Sequence, residues 1–210
     1  MTEHSHNPFM FKLSRGLIHI WMTFWLRLEI RNSDLVPEEG GCLIAANHVS
    51  YLDPPMIACA VNNRFVRFLA RDTLFRFRGF GSWLTAVGVM PLSRDRGDVG
   101  ALRKSIQMLK EGMCLCLFPE GTRSLDGELQ EAKGGIGFLV AKAHVPVVPV
   151  YISGTYKAYP RGAKWVRPAK CIVTFGPPIS AAEFEALGPE RDAYDKIGKL
   201  IMERIRALRG

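Results

Sequence analysis

The chain has little with which to span a membrane, hold a metal or bridge itself by disulfides. In its apolar opening segment, PFMFKLSRGLIHIWMTFWLRLEIRN, the longest stretch without charge is Gly16 to Leu26, eleven residues. Crossing a bilayer takes about twenty. No small-residue cleavage site follows, so a removable signal peptide is not expected. The five cysteines (Cys42, Cys59, Cys114, Cys116, Cys171) are odd in number, form no CxxC and lie in or beside apolar runs. Such cysteines fit buried, reduced thiols in a protein that faces the cytosol, and they imply no metal site. Zinc-finger spacing, a ribonucleoprotein aromatic signature and a basic region followed by heptads are all absent, so no nucleic-acid partner is expected. There is no GxSxG elbow, and no cysteine stands beside a candidate base, which argues against a covalent nucleophile.

The 210 residues suit one good-sized domain, and the 48% apolar content is ordinary for a globular core. The 28 Lys and Arg outnumber the 20 Asp and Glu, and the excess is patchy. Nine basic and three acidic residues lie between Arg64 and Lys104; five basic and no acidic residues lie between Tyr156 and Lys170. Patches of this kind attract phosphates, on lipids or on small substrates. Near the N-terminus Leu13, Leu17, Ile20, Phe24 and Leu28 recur at helical spacing, widened by Trp21 and Trp25 and flanked by Lys12, Arg15, Arg27 and Arg31. A helix of that make-up suits a membrane surface. Packing on the chain's own core would explain the same stripe.

Apolar strands are expected at Gly41 to Ala46, Met113 to Phe118, Val145 to Ile152 and Cys171 to Phe175, with a further strand at Arg64 to Ala70. Helices are expected from Asp53, as N-cap before Pro54 and Pro55, to about Val61; over Gly97 to Glu111; over Lys133 to His144; and from about Glu190 to the end. The stretch TLFRFRGFGSWLTAVGVMPLS reads as a short helix, a turn and a strand. Strands alternating with helices give an α/β fold: a mostly buried mixed sheet flanked by helices, preceded by the amphipathic membrane-associating helix. The expected organisation is residues 1–31 as tail and interfacial helix, and 32–210 as a single α/β domain. The prolines in VPVVPV place that strand at an edge or an irregular position.

Chemistry concentrates in two stretches. NHVSYLD, residues 47 to 53, sets His48 and Asp53 five residues apart where a strand ends. If VSYL loops round, Asp53 fixes one imidazole nitrogen and the other takes a proton from a substrate. A plainer reading also stands: His48 ends a strand and Asp53 caps a helix. FPEGTRS, residues 118 to 124, brings Glu120, Thr122, Arg123 and Ser124 to the end of a buried strand, with Gly121 allowing a tight turn. A guanidinium among exposed amides and hydroxyls suits a phosphate. Arg71 and Arg94, in FLARDTLF and GVMPLSRDR, also fall at expected strand ends.

Taken in order, NHVSYLD, the arginine-bearing middle block, FPEGTRS and VPVVPVYISGT resemble the four motifs of the glycerolipid acyltransferase family, over roughly residues 40 to 155. The best-known members are 1-acyl-sn-glycerol-3-phosphate (lysophosphatidate) acyltransferases. The resemblance implies His48 as general base and Asp53 as its orienting partner. It implies Glu120, Gly121, Thr122 and Arg123, with Arg71 and Arg94, around the acceptor's phosphate and glycerol. The middle block departs from the pattern, with Arg71 where many members have lysine and Thr73 where they have glutamate.

The implied reaction moves a fatty acyl group from a thioester, acyl-CoA or acyl-acyl-carrier-protein, to the sn-2 hydroxyl of lysophosphatidate, with no bound cofactor and no metal. The implied partners are a membrane lipid surface, a lysophospholipid acceptor and an acyl carrier protein as a donor option, at the cytosolic face of the membrane. Glycerol 3-phosphate or an amino-acid lysolipid as acceptor, a lipid ester hydrolase and a non-catalytic membrane-binding module are the alternatives.

Overall fold

The computed structural model describes residues 7–92, 97–133, 135–188 and 190–209. Seven strands form one sheet: β1 (Glu29–Arg31), β2 (Cys42–Ala46), β3 (Val66–Arg71), β4 (Met90–Leu92), β5 (Cys114–Leu117), β6 (Val147–Ser153) and β7 (Ile172–Phe175). Their order is β1-β7-β6-β2-β5-β3-β4. Every neighbouring pair is parallel except β6 with β7. The helices are α1 (Pro8–Trp25), α2 (Asp53–Ala60), α3 (Phe80–Ala86), α4 (Gly97–Lys110), α5 (Gly135–Ala143), α6 (Thr155–Ala158), α7 (Ala181–Glu185) and α8 (Glu190–Ala207).

Alternation along each strand divides the core into two layers. On one face Cys42, Ile44, Ala46, Cys114, Cys116, Val148, Val150 and Phe175 meet Met22 and Leu26 of the α1 region and Met56 and Ile57 of α2. On the other, Leu43, Ala45, Leu115 and Val147 meet Met108, Leu139, Val140, Ile197, Ile201 and Ile205 of α4, α5 and α8. Because both faces are covered, β2 is apolar throughout and all five of its residues are buried. Burying a side chain such as Ile44 or Leu115 is worth roughly 1.5–3 kcal/mol. The strand that leads into NHVSYLD is therefore anchored in the most buried part of the molecule. The five cysteines are all buried and unbridged.

Of the edge or irregular position expected for the VPVVPV strand, the irregular one holds: β6 lies inside the sheet, between β2 and β7. Pro149 is tolerated there because the neighbouring chain bulges. Val147 bridges Ile179, whereas Val150 pairs with Phe175, so the partner carries one extra residue in that interval. The short edge strand β1, parallel to β7, draws residues 29–31 of the N-terminal segment into the sheet.

Gly137 explains how a glycine-rich stretch makes the helix α5. A Cβ there would stand 2.0 Å from the Tyr194 carbonyl oxygen, so only glycine lets α5 and α8 approach this closely. Helix α1 is apolar on two sides. Met22 is buried in the core, with Ile18 packed beside it, whereas Phe9, Leu13, Leu17, Ile20 and Phe24 are 71%, 46%, 61%, 58% and 82% exposed. The members of the recurring stripe within α1 thus face away from the protein, whereas Leu28, beyond the helix, packs on the core. Among the described residues, no helix is long and apolar enough to cross a membrane.

Candidate active site

In parallel strands the chain emerges on one edge, and ligands in open α/β sheets bind at that edge. NHVSYLD follows β2, FPEGTRS follows β5, Arg71 ends β3 and Gly154 follows β6, so the expected motifs converge there. Arg94 lies outside the described residues.

NHVSYLD folds as a tight loop in which the side chains of Asn47, His48, Ser50 and Asp53 each have a polar partner. Asn47 is buried and pairs like a strand residue with Ile152, donating to its carbonyl at 3.0 Å and accepting its N–H at 2.7 Å. Ser50 donates its hydroxyl to the Tyr159 carbonyl at 2.7 Å and accepts the Leu52 N–H at 3.1 Å. Asp53 is fully buried. It is not the N-cap expected from the prolines: Leu52 occupies that position and Asp53 begins the helix. Its carboxylate turns back into the loop instead. There Oδ2 accepts the N–H groups of Val49 and Ser50, each at 2.8 Å. The same oxygen lies 2.8 Å from His48 Nδ1. VSYL therefore loops round, and imidazole and carboxylate meet.

With Nδ1 engaged by a carboxylate that can only accept, the ring proton belongs on Nδ1 and the lone pair on Nε2. Nε2 has no protein partner among the described residues, and the His48 side chain is 17% exposed. The ring stacks on Phe118, centroids 4.0 Å apart and planes 18° apart, which fixes its plane.

FPEGTRS grips the same histidine from behind. Glu120 Oε1 accepts the His48 N–H at 3.2 Å, and the Ser124 N–H donates to the His48 carbonyl at 2.8 Å. Ser124 is itself held, donating to Asp126 at 2.8 Å and accepting the Gly127 N–H at 3.0 Å. Gly121 closes the turn on the Phe118 carbonyl with φ +64, and a Cβ there would stand 2.9 Å from Lys133 Cδ. The arm of Lys133 thus lies over the turn and brings it a further cation. Glu120 is 1% exposed. Burial raises its carboxyl to about 7, against the pull of backbone N–H groups of His48 and Gln130, while the charge of Asp53 adds to the rise. Among the described residues, its Oε2 has no hydrogen-bond partner.

Arg123 rests on the Tyr51 ring, its guanidinium carbon 3.5 Å from the centroid. No carboxylate among the described residues pairs with it, so a half-buried cation stands beside the histidine loop, held by an aromatic face. Thr122 is half-buried next to it. Arg71 is exposed at the end of β3, which β5 separates from β2, roughly 10 Å away by strand spacing. Arg71 therefore borders the cluster from the side. Asn47, Tyr51, Phe118 and Lys133 were not expected as site residues. The first three lie within the quoted stretches, where only their partners were hidden, and Lys133 carries no signal in the sequence.

The hollow of about 210 Å³ between α5, α7 and α8, lined by Val140, Phe184 and Ile197, lies against the opposite face of the sheet. It is separate from the convergent loops. His144, at which the helix from Lys133 was expected to end, follows α5 at the rim of the hollow and lies 3.2 Å from Glu185.

The sequence profile of the Acyltransferase family matches residues 27–153. A 1-acyl-sn-glycerol-3-phosphate acyltransferase of Bacillus subtilis is 23% identical over 199 residues, covering 95% of this chain and 96% of its own length. The chloroplastic 1-acyl-sn-glycerol-3-phosphate acyltransferase BAT2 of Brassica napus is 34% identical over 127 residues, 60% of this chain and 36% of its own. The chain thus spans about a third of that longer plant relative, and 46% of a second one from Arabidopsis thaliana. Among solved structures, the 1-acyl-sn-glycerophosphate acyltransferase PlsC of Thermotoga maritima superposes with a TM-score of 0.68 at 26% identity, covering 93% of this chain and 83% of that one. Both loops that hold His48 fall inside the matched span, and with that match the chain belongs to the acyltransferase family.

Proposed function

We propose that the protein transfers a fatty acyl group from a thioester donor to the sn-2 hydroxyl of lysophosphatidate, giving phosphatidate. The observation that carries this reading is the buried Asp53 holding His48 Nδ1 at 2.8 Å, with Nε2 left open beside the Arg123 loop. The names of the relatives support the choice of acceptor.

Nε2 takes the proton of the acceptor hydroxyl as its oxygen attacks the acyl carbonyl. A C–O bond forms, the tetrahedral intermediate collapses with loss of the C–S bond, and the imidazolium returns the proton to the departing thiolate. Buried Asp53 stabilises the imidazolium while the charge lasts. Arg123, with Lys133 over the same turn, Arg71 at its border and Arg94 in support, holds the acceptor phosphate so that hydroxyl and imidazole align. Glu120, buried behind the histidine, acts through the His48 backbone, which it holds in place beside the acceptor site. The donor is acyl-CoA or acyl-acyl-carrier-protein, and neither a metal nor a bound cofactor enters the scheme.

The acceptor and product are lipids, and the exposed stripe of α1 supports a peripheral seat at the cytosolic face of a membrane. The exposed Phe77 and Phe80, with Arg76 and Arg78, extend it. Of the N-terminal segment 1–31, α1 supplies the seat and β1 joins the sheet of the catalytic domain. The combined Leu17→Ser, Ile20→Ser and Phe24→Ser variant should lose affinity for phosphatidylcholine vesicles with its thermal midpoint intact, because none of the three side chains is in the core. Unchanged binding would remove α1 as the anchor.

The reaction is tested with a labelled acyl thioester, with and without lysophosphatidate, following the lipid product. Labelled phosphatidate should appear only with acceptor, and His48→Ala should abolish it. Free fatty acid released equally without acceptor would instead identify a hydrolase.

A further inference from the structure

The stretch 156–170, running from α6 to the start of β7, takes no part in the chemistry above, yet it is the most one-sidedly charged surface of the chain. It carries five basic residues and no acidic one. Lys170 is engaged by Glu29 at 2.7 Å. Lys157, Arg161, Lys164 and Arg167 are exposed, and among the described residues no carboxylate pairs with them. In their midst Trp165 is 80% exposed, an unusual position for so large an aromatic side chain.

Where this stretch is fastened gives the charge its meaning. The Trp25 indole N–H donates to the Val166 carbonyl at 3.3 Å, and the Cys171 N–H donates to the Leu26 carbonyl at 2.9 Å. Tyr159, Val166 and Ala169 pack on the same core layer as Met22 and Leu26. The basic loop is thus tied to the C-terminal end of α1. At the other end of that helix, α3 is attached through Asn7 N–H to the Ala86 carbonyl and the Trp83 indole N–H to Ser14 Oγ, both at 2.9 Å. Helix α1 is 18 residues long, about 27 Å, so the two attachments lie well apart.

We propose that residues 156–170 form a second membrane-docking element that binds the headgroups of anionic phospholipids. It rests on the reading of α1 as an interfacial helix. An exposed tryptophan beside unpaired basic side chains, continuous with an exposed apolar stripe, matches a lipid surface at headgroup depth. An acidic protein would satisfy the charges but would leave Trp165 and the adjoining stripe unexplained. Two contacts at separate places along α1 also restrict rotation about the helix axis. The catalytic edge then faces the bilayer in a fixed orientation, and the Tyr159 carbonyl that receives Ser50 links the loop to the histidine loop.

The test uses the full chain and two kinds of vesicle: phosphatidylcholine alone, and phosphatidylcholine with phosphatidylglycerol replacing about a third of the lipid. The variant combines Lys157→Gln, Arg161→Gln, Lys164→Gln and Arg167→Gln. Each basic side chain near an anionic surface is worth about fivefold in partitioning. The variant should therefore bind anionic vesicles about 50- to 600-fold more weakly, and neutral vesicles within about twofold of wild type. Should its thermal midpoint fall, the Lys157→Gln and Lys164→Gln pair gives the same test with a loss of about 25-fold. Wild-type affinity of the variant for anionic vesicles would overturn the proposal and leave an acidic protein as the partner the charges fit. Equal loss on both kinds of vesicle would overturn it too. Failure of the wild type on neutral vesicles would count against α1 instead, leaving the anionic comparison to decide on the loop.

Discussion

Replacing Glu120 by glutamine isolates what a buried carboxyl behind the histidine costs the fold. Its side chain is 1% exposed and burial raises it to about 7, from an ordinary 4.5. The native state therefore holds this proton more tightly than the unfolded chain does. Its contribution to stability is greatest below pH 4.5, falls as pH rises through about 7, and is then flat. At about 1.4 kcal/mol per pH unit, the interval corresponds to about 3 kcal/mol. Glutamine keeps an oxygen for the His48 N–H and carries no charge at any pH. Wild type and Glu120→Gln should thus be nearly equal in stability at pH 5, and the variant should be more stable by about 3 kcal/mol at pH 8.5. For a chain of this length, that is an upward shift of roughly 6–12 °C in Tm. Thermal melts of both proteins from pH 5 to 8.5 provide the measurement. A difference that does not change with pH, or a variant less stable than wild type at pH 8.5, would refute the reasoning.

Other substitutions probe the remaining parts. Asp53→Asn keeps an oxygen for the Val49 and Ser50 amides but presents the imidazole with a poorer partner and no charge; kcat should fall about 10²- to 10⁴-fold. A fall in activity below tenfold would remove the orienting role. Arg123→Ala should raise the KM for the phosphate-bearing acceptor about 10- to 100-fold, with a smaller effect on kcat and none on the KM for the thioester. Steady-state kinetics with each substrate varied in turn checks this. Gly137→Ala forces a Cβ against the Tyr194 carbonyl and should destabilise the protein by about 1–3 kcal/mol in urea unfolding, without a change in substrate KM.

What the sequence disclosed depended on whether a signal was local. The apolar runs of β2 and β5 and the periodic faces of α4 and α8 were legible because burial imposes those patterns directly. The spacing of His48 and Asp53 left their pairing open beside a plain strand end and helix cap, and the resemblance to the acyltransferase motifs favoured it. Three-residue β1 has no pattern to read, since its place is set by β7, more than a hundred residues away. The interior position of β6 was hidden because a bulge in its partner accommodates Pro149. Glu120 and Arg123 were identified by type, but their contacts were not. The Glu120 carboxyl turns to the His48 backbone 72 residues away, and the Arg123 guanidinium to the Tyr51 ring. Residue types are written in the chain, whereas partners are settled by the sheet that brings the two loops together.

The double grip on His48 makes the two signature loops one mechanical part. Its amide is held by Glu120 and its carbonyl by Ser124, so a change that loosens the downstream loop also releases the His48 imidazole. Damage to the two loops should then be epistatic: once one is loosened, a second lesion in the other has little left to remove. Substitution at Arg123 or Thr122 therefore has to spare the Ser124 amide and the Glu120 carboxyl group.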